Sequence, residues 1–100
     1  MKKKKFIEIM DMYIKKLKEK GCKPVEADYN RKYNALSTTG PDDIRAILNH
    51  AMWMCIKSKQ IVETDPAKAR SWASHIQGNF TSNGIYTIGE VRKHSRYFMK

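Results

Sequence analysis

A chain of 100 residues with 41% hydrophobic and 30% charged residues has the composition of one globular domain with a single modest core, since a chain of this size buries roughly two-thirds of its unfolded surface. Nowhere does an apolar run approach the roughly 18 residues that a membrane span needs, so a transmembrane segment is excluded. The net charge is +10, and its distribution says more than its size. Residues 1–23 carry nine lysines against Glu8, Asp11 and Glu19, a balance of +6, whereas Arg92, Lys93, Arg96 and Lys100 give the last nine residues +4. Between them, residues 24–91 hold seven basic and seven acidic side chains. Cations gathered at both ends of a neutral body attract polyanions through sequence-independent, salt-sensitive contacts. Solvated helix ends that keep the chain soluble are the competing explanation.

The start, Met1 to Lys5 followed by FIEIMDMYI, imitates the basic region of a signal peptide. Glu8 and Asp11 interrupt the apolar part and no small-residue cleavage site follows, so the expectation is an uncleaved, cytoplasmic chain. Phe6, Met10, Tyr13, Ile14 and Leu17 recur at three- and four-residue steps and predict an amphipathic helix over 5–20 with a lysine-rich outer face. Gly21 ends it, and Lys15, Lys16, Lys18 and Lys20 complement the negative end of its dipole. Cys22 then falls in a loop and Cys55 on an apolar helix face. That pattern has no disulfide or metal-ligand spacing and predicts two reduced thiols.

Pro24 opens a weaker pattern in which Val25, Tyr29, Tyr33 and Leu36 share one face. In STTGPDD, Thr39 or Gly40 can cap a new helix, Pro41 suits its first turn, and Asp42 and Asp43 favour its positive end. Ile44, Ile47, Leu48, Ala51, Met52, Cys55 and Ile56 form a continuous apolar stripe, which predicts a helix over about 41–59, about 27 Å long. Asp65 caps the next helix before Pro66, over 66–82, with Ala69, Trp72, Ala73, Ile76 and Phe80 on one face. The link between these two helices is a few residues, so they are expected to pack as an antiparallel hairpin. Gly84 can take a left-handed conformation, Thr87 and Glu90 form a capping box with Tyr86 and Val91 in staple positions, and a short basic helix follows over 88–97. The fold class is therefore all-α, a compact single-domain bundle of four to five helices.

Gly78 inside a helix costs about 0.5 to 1 kcal/mol relative to alanine. Together with Ala69 and Ala73 it predicts a close approach of a neighbouring helix, either 41–59 or the same helix of a second copy. Room for a ligand backbone is the competing explanation.

Away from the core stripe, Arg45, Asn49, Trp53 and Lys57 follow one another at steps of four. Lys68, Trp72, His75 and Asn79 do much the same on the partner helix. Each row joins an indole to cationic and amide groups, which suits a base that stacks and a phosphate that pairs with a cation. Packing between helices competes with this for both tryptophans. His50, His75 and His94 show no metal-ligand spacing and follow no nucleophile motif. Walker A, dinucleotide, GxSxG and zinc signatures are absent, so neither an enzyme nor a cofactor is expected.

LNHAMWMC, KARSWASHIQG and GIYTIGEVRKHS resemble the second half of a group of small helical accessory proteins of tailed bacteriophages, over roughly residues 48–96. The likeness departs at Ala73, Ser74 and His75, and the lysine-rich first helix stands outside it. What it implies is a phage origin, and hence a host-cell cytoplasm, with no catalytic residues to carry over.

Two functional classes follow. The first is a non-catalytic binder of nucleic acid or a signalling nucleotide, acting in counter-defence by analogy alone. Its phosphate contacts are assigned to Lys2, Lys3, Lys4, Lys5, Arg92, Lys93 and Arg96, and its ring contacts to Trp53 or Trp72. The second is a protein-interaction module that inhibits or assembles with a host or phage protein, or with a second copy of itself, through Met52, Met54, Trp53 or Trp72.

Overall fold

Phe6, Met10, Tyr13 and Leu17, the apolar row of the first helix, are all fully buried at 0% exposure, so its periodicity marks the inward face. The structure, a computed structural model, describes residues 1–26 and 41–99. Among these it contains four helices and no strand: α1 (Lys3–Glu19), α2 (Pro41–Ile61), α3 (Pro66–Ser82) and α4 (Ile88–Met99). Residues 22–26 have no regular structure, and the remainder of the weaker pattern at Tyr29, Tyr33 and Leu36, with the caps considered at Thr39 and Gly40, lies outside the described residues.

Each boundary has a local cause. Gly21, at φ 82°, lets its own N–H reach the Lys18 carbonyl and the Cys22 N–H reach that of Leu17. This left-handed closing turn satisfies carbonyls that α1 would leave bare. Gly84, at φ 71°, repeats the device at the end of α3 through Ile85 N–H to Phe80 O at 2.9 Å. Asp65 accepts the Lys68 N–H at 3.1 Å and caps α3. The box that starts α4 is reciprocal: Glu90 accepts the Thr87 N–H at 2.9 Å and Thr87 Oγ1 accepts the Glu90 N–H at 3.1 Å.

Both α1 and α3 pack against α2 and α4, so the helices form a ring with α2 and α4 at opposite corners. Phe6 meets Phe98 edge to face at 5.1 Å, and Tyr13 meets His94 at 5.4 Å. Residue numbers rise on α1 as they fall on α4, and these two helices therefore run in opposite directions. Ala69 and Ala73 are buried at 0% and 1%, as small residues at a helix contact should be.

Gly78 corrects an expectation. It is exposed, and a Cβ built there would meet nothing within 4 Å, so no neighbouring backbone in the bundle requires it. Gln77, by contrast, has a structural task. Its Nε2 donates to the Tyr13 hydroxyl at 3.1 Å, and its Oε1 accepts from Ser95 Oγ at 3.2 Å. Tyr13 in turn lies 2.8 Å from His94 Nδ1. The Tyr13 oxygen accepts from Gln77, and its own hydrogen can be donated to Nδ1 when the neutral His94 ring carries its proton on Nε2. Burial holds the Tyr13 hydroxyl far above its ordinary pKa and so keeps it a donor.

Burial also lowers the pKa of His94 from its ordinary 6.5, with the nearby Glu90 carboxylate pulling weakly the other way. Below about pH 6.5 the unfolded chain binds more protons than the folded one, so stability is full above that pH and falls as pH drops through the folded value. His50 is lowered by burial in the same direction. Chemical denaturation midpoints measured between pH 7.5 and 5.5 should fall with pH, and His94→Gln, which keeps an acceptor that does not titrate, should flatten the slope while leaving the share due to His50. Gly78→Ala should raise stability by about 0.5 to 1 kcal/mol, about 2 to 8 °C in Tm, since it fills open space on a helix; a fall in Tm would show a backbone requirement at that position.

Candidate functional site

The i, i+4 rows on α2 and α3 meet in part. Trp53 and Trp72 stack at 6.1 Å between ring centres with 30° between planes, and His50 stacks on Trp53 at 5.5 Å and 17°. Lys57 Nζ lies 5.7 Å from the centre of the Trp53 ring, and Lys68 Nζ lies 5.3 Å from that of Trp72. His50, Trp53, Met54, Trp72 and His75 line one open groove of about 350 Å³. Both indoles are half-buried and rest on the core, while His75 and Lys68 are exposed. The groove therefore has an aromatic floor, and the two lysines stand over its rings without lining it.

Arg45 and Asn49 stand elsewhere. Arg45 Nη1 donates to the Gly21 carbonyl at 2.9 Å, and Asn49 Oδ1 accepts the Lys23 N–H at 3.0 Å while its backbone carbonyl accepts that of Val25 at 3.2 Å. Together they clasp the chain that leaves α1 against α2. Arg45 also borders a second cleft of about 270 Å³ with Lys20, Cys22, Ile44 and Leu48. The reason is geometric: each four-residue step advances about 40° round a helix, so three steps carry Lys57 about 120° from Arg45. Asn79, the last member of the row on α3, accepts at its backbone carbonyl from Asn83 Nδ2 at 2.8 Å.

His50 and Met54 are the groove residues that the four-step rows passed over. His50 follows from the row one turn back, since residues three apart on a helix are also neighbours. Met52 is the opposite case. At 2% exposure it belongs to the core and offers no surface to a partner, which corrects its assignment to an interaction face.

Histidine chemistry in the groove is set by burial, which lowers the pKa of His50, while the Val25 backbone raises it, the charge of His75 lowers it and that of Glu26 raises it. Burial pushes the Cys55 and Cys22 thiols up, and both are free. A thiol held neutral is a poor nucleophile. Among the described residues no three His, Cys, Asp or Glu side chains are grouped to hold a metal ion, and no helix is long and apolar enough to cross a membrane.

The terminal cations lie away from the groove. Lys3 Nζ is 3.4 Å from Glu63 and Lys59 pairs with Asp11; both are surface pairs of the kind worth about 0 to 1 kcal/mol. Lys2, Lys4, Arg92, Lys93 and Arg96 are exposed with no described carboxylate in ion-pair contact, and Lys5 lies over the Tyr97 ring. Of the side chains singled out in the sequence, Trp53, Trp72 and His75 thus line the groove with Lys57 and Lys68 over its rings, Arg45 and Asn49 form the clasp, and the terminal cations stand apart from both. Comparison with protein-family models, curated proteins and solved structures gives no match, so the reading of the site rests on its own residues.

Proposed function

We propose that this chain is a non-catalytic binder of a nucleic acid or signalling nucleotide, an accessory protein of phage type that works in the host-cell cytoplasm against host defence. The observation that carries the ligand class is an open groove lined by two stacked indoles, each with a lysine ammonium, Lys57 or Lys68, within about 6 Å of its ring centre. An unpaired base stacks on an indole whatever its identity, for about 1 to 3 kcal/mol per base. Lysines now resting over the rings can swing to phosphate without disturbing the floor. The reading takes α2 and α3 as an antiparallel hairpin, supported by the contacts that set Trp53 beside Trp72 and bring His50 and His75 to one groove. The phage setting is supported by the likeness of LNHAMWMC, KARSWASHIQG and GIYTIGEVRKHS to such proteins.

A protein-interaction module is the second reading, favoured by the apolar floor of Met54 and the two indoles, residue types enriched at interface centres. Salt separates the two, because phosphate contacts release counterions and interface packing does not.

Titrating the protein with a short single-stranded oligonucleotide, or with ATP, should change the emission of Trp53 and Trp72, with affinity falling steeply as salt rises. Trp72→Leu keeps an apolar filler but removes the stacking face, and should weaken binding by about 5- to 150-fold. Lys57→Glu with Lys68→Glu should also weaken it. Asn49→Ala, which loosens only the clasp, should not. Unchanged emission with every nucleotide and strand tested, or equal affinity at low and high salt, would eliminate the nucleic-acid reading.

A further inference from the structure

The start of the chain, with its lysines, meets the last turn of the basic helix α4. The Lys2 backbone N–H donates to the Phe98 carbonyl at 2.7 Å, and Lys5 Nζ lies 4.8 Å from the centre of the Tyr97 ring. The chain start therefore runs along the last turn of α4. Buried Val91 and Phe98 fix the inward face of α4, and at about 100° per residue Arg92, Lys93 and Arg96 turn away from it. All three are exposed, as are Lys2 and Lys4. Two carboxylates lie nearby and keep their charge: Glu8 accepts from the Tyr97 hydroxyl and Glu90 is held in the Thr87 cap.

This face and the groove differ in chemistry and in direction. Its one exposed aromatic ring, Tyr97, is engaged by Lys5 and Glu8, so what it offers a ligand is ammonium and guanidinium groups. Such groups position a phosphate backbone without reading bases. The groove opens between α2 and α3, whereas α4 stands at the corner opposite α2. The bundle is 28 and 22 Å across its shorter axes, and duplex DNA is stiff over about 50 nm, so a duplex seated on α4 cannot turn to reach the indoles.

We propose that the α4 face, with Lys2, Lys4 and Lys5, docks on the phosphate backbone of a nucleic-acid duplex while the groove holds an unpaired strand, so that one copy of the protein bridges two nucleic-acid segments. The inference rests on the groove reading for its single-stranded arm. The duplex arm stands on the convergence of the two chain ends. Contacts to about four phosphates make duplex affinity fall about 100-fold between 50 and 200 mM salt.

The test uses the whole chain with a dye-labelled duplex of about 20 base pairs and a differently labelled oligo-dT of about 10 nucleotides, sizes chosen to exceed a site of a few nucleotides. Each ligand is titrated alone by anisotropy, and the mixture is examined by native mass spectrometry. Expected is a complex of one protein, one duplex and one strand. Arg92→Glu with Arg96→Glu should weaken the duplex by about tenfold or more and leave oligo-dT within about twofold, and Lys57→Glu with Lys68→Glu should do the reverse. Circular dichroism confirms that the variants fold. If oligo-dT displaces the duplex one for one, or the α4 reversal weakens both ligands equally, bridging is overturned while the groove reading stands. If oligo-dT does not bind at all, both fall, and the duplex titration alone then reports whether the α4 face binds phosphate.

Discussion

The hydroxyl of Tyr13 has to be satisfied without water. Its ring is fully buried, with Phe80 edge to face at 4.8 Å, Tyr86 at 5.4 Å and His94 on a third side. A buried hydroxyl with no partner costs about 1 to 3 kcal/mol, and here α3 supplies the donor through Gln77 while α4 supplies the acceptor through His94. Three helices are thereby locked in register by one oxygen, and Ser95 completes the chain through Gln77. Apolar packing alone tolerates sliding; a buried polar chain with every member partnered does not. Among the described residues the exception is Ser58, whose buried hydroxyl has no hydrogen-bond partner.

Two consequences reach the surface. Placing α4 against α1 brings Phe98 to the start of the chain, so Lys2 and Lys5 lie along the last turn of α4. Placing α3 against α2 leaves Trp53 and Trp72 as a half-buried stack with lysines over its rings. Neither surface takes part in the interior network.

Much of the fold was legible because its signals are local. The stripe on α2, Asp65 before Pro66, Gly84 after α3 and the Thr87–Glu90 box each lie within a turn or two of the boundary they set, and the helices run where those signals placed them. Helix α1 began two residues earlier than its apolar row suggested, since the lysine side chains at its start permit helix without marking it. The interior network was not legible: Gln77 and His94 lie 64 and 81 positions from Tyr13 along the chain, and no periodicity relates them. The groove was half legible. Steps of three and four found Trp53, Trp72 and His75 in its lining and Lys57 and Lys68 over its rings, but the same rule drew in Arg45 and Asn49, because a four-residue row winds round the helix over several turns. The close approach of α2 expected at Gly78 is not there, because a glycine shows where a side chain is missing and says nothing of what stands beside it.

The most direct measurement is the urea unfolding free energy of Tyr13→Phe at neutral pH. That substitution removes one oxygen and leaves the ring, the Gln77 donor and the His94 acceptor in place. A loss of about 1 to 3 kcal/mol with an unchanged denaturant slope is expected if the hydroxyl locks α1, α3 and α4 together. A variant as stable as the parent, or more so, would contradict it and leave the bundle held by apolar packing alone.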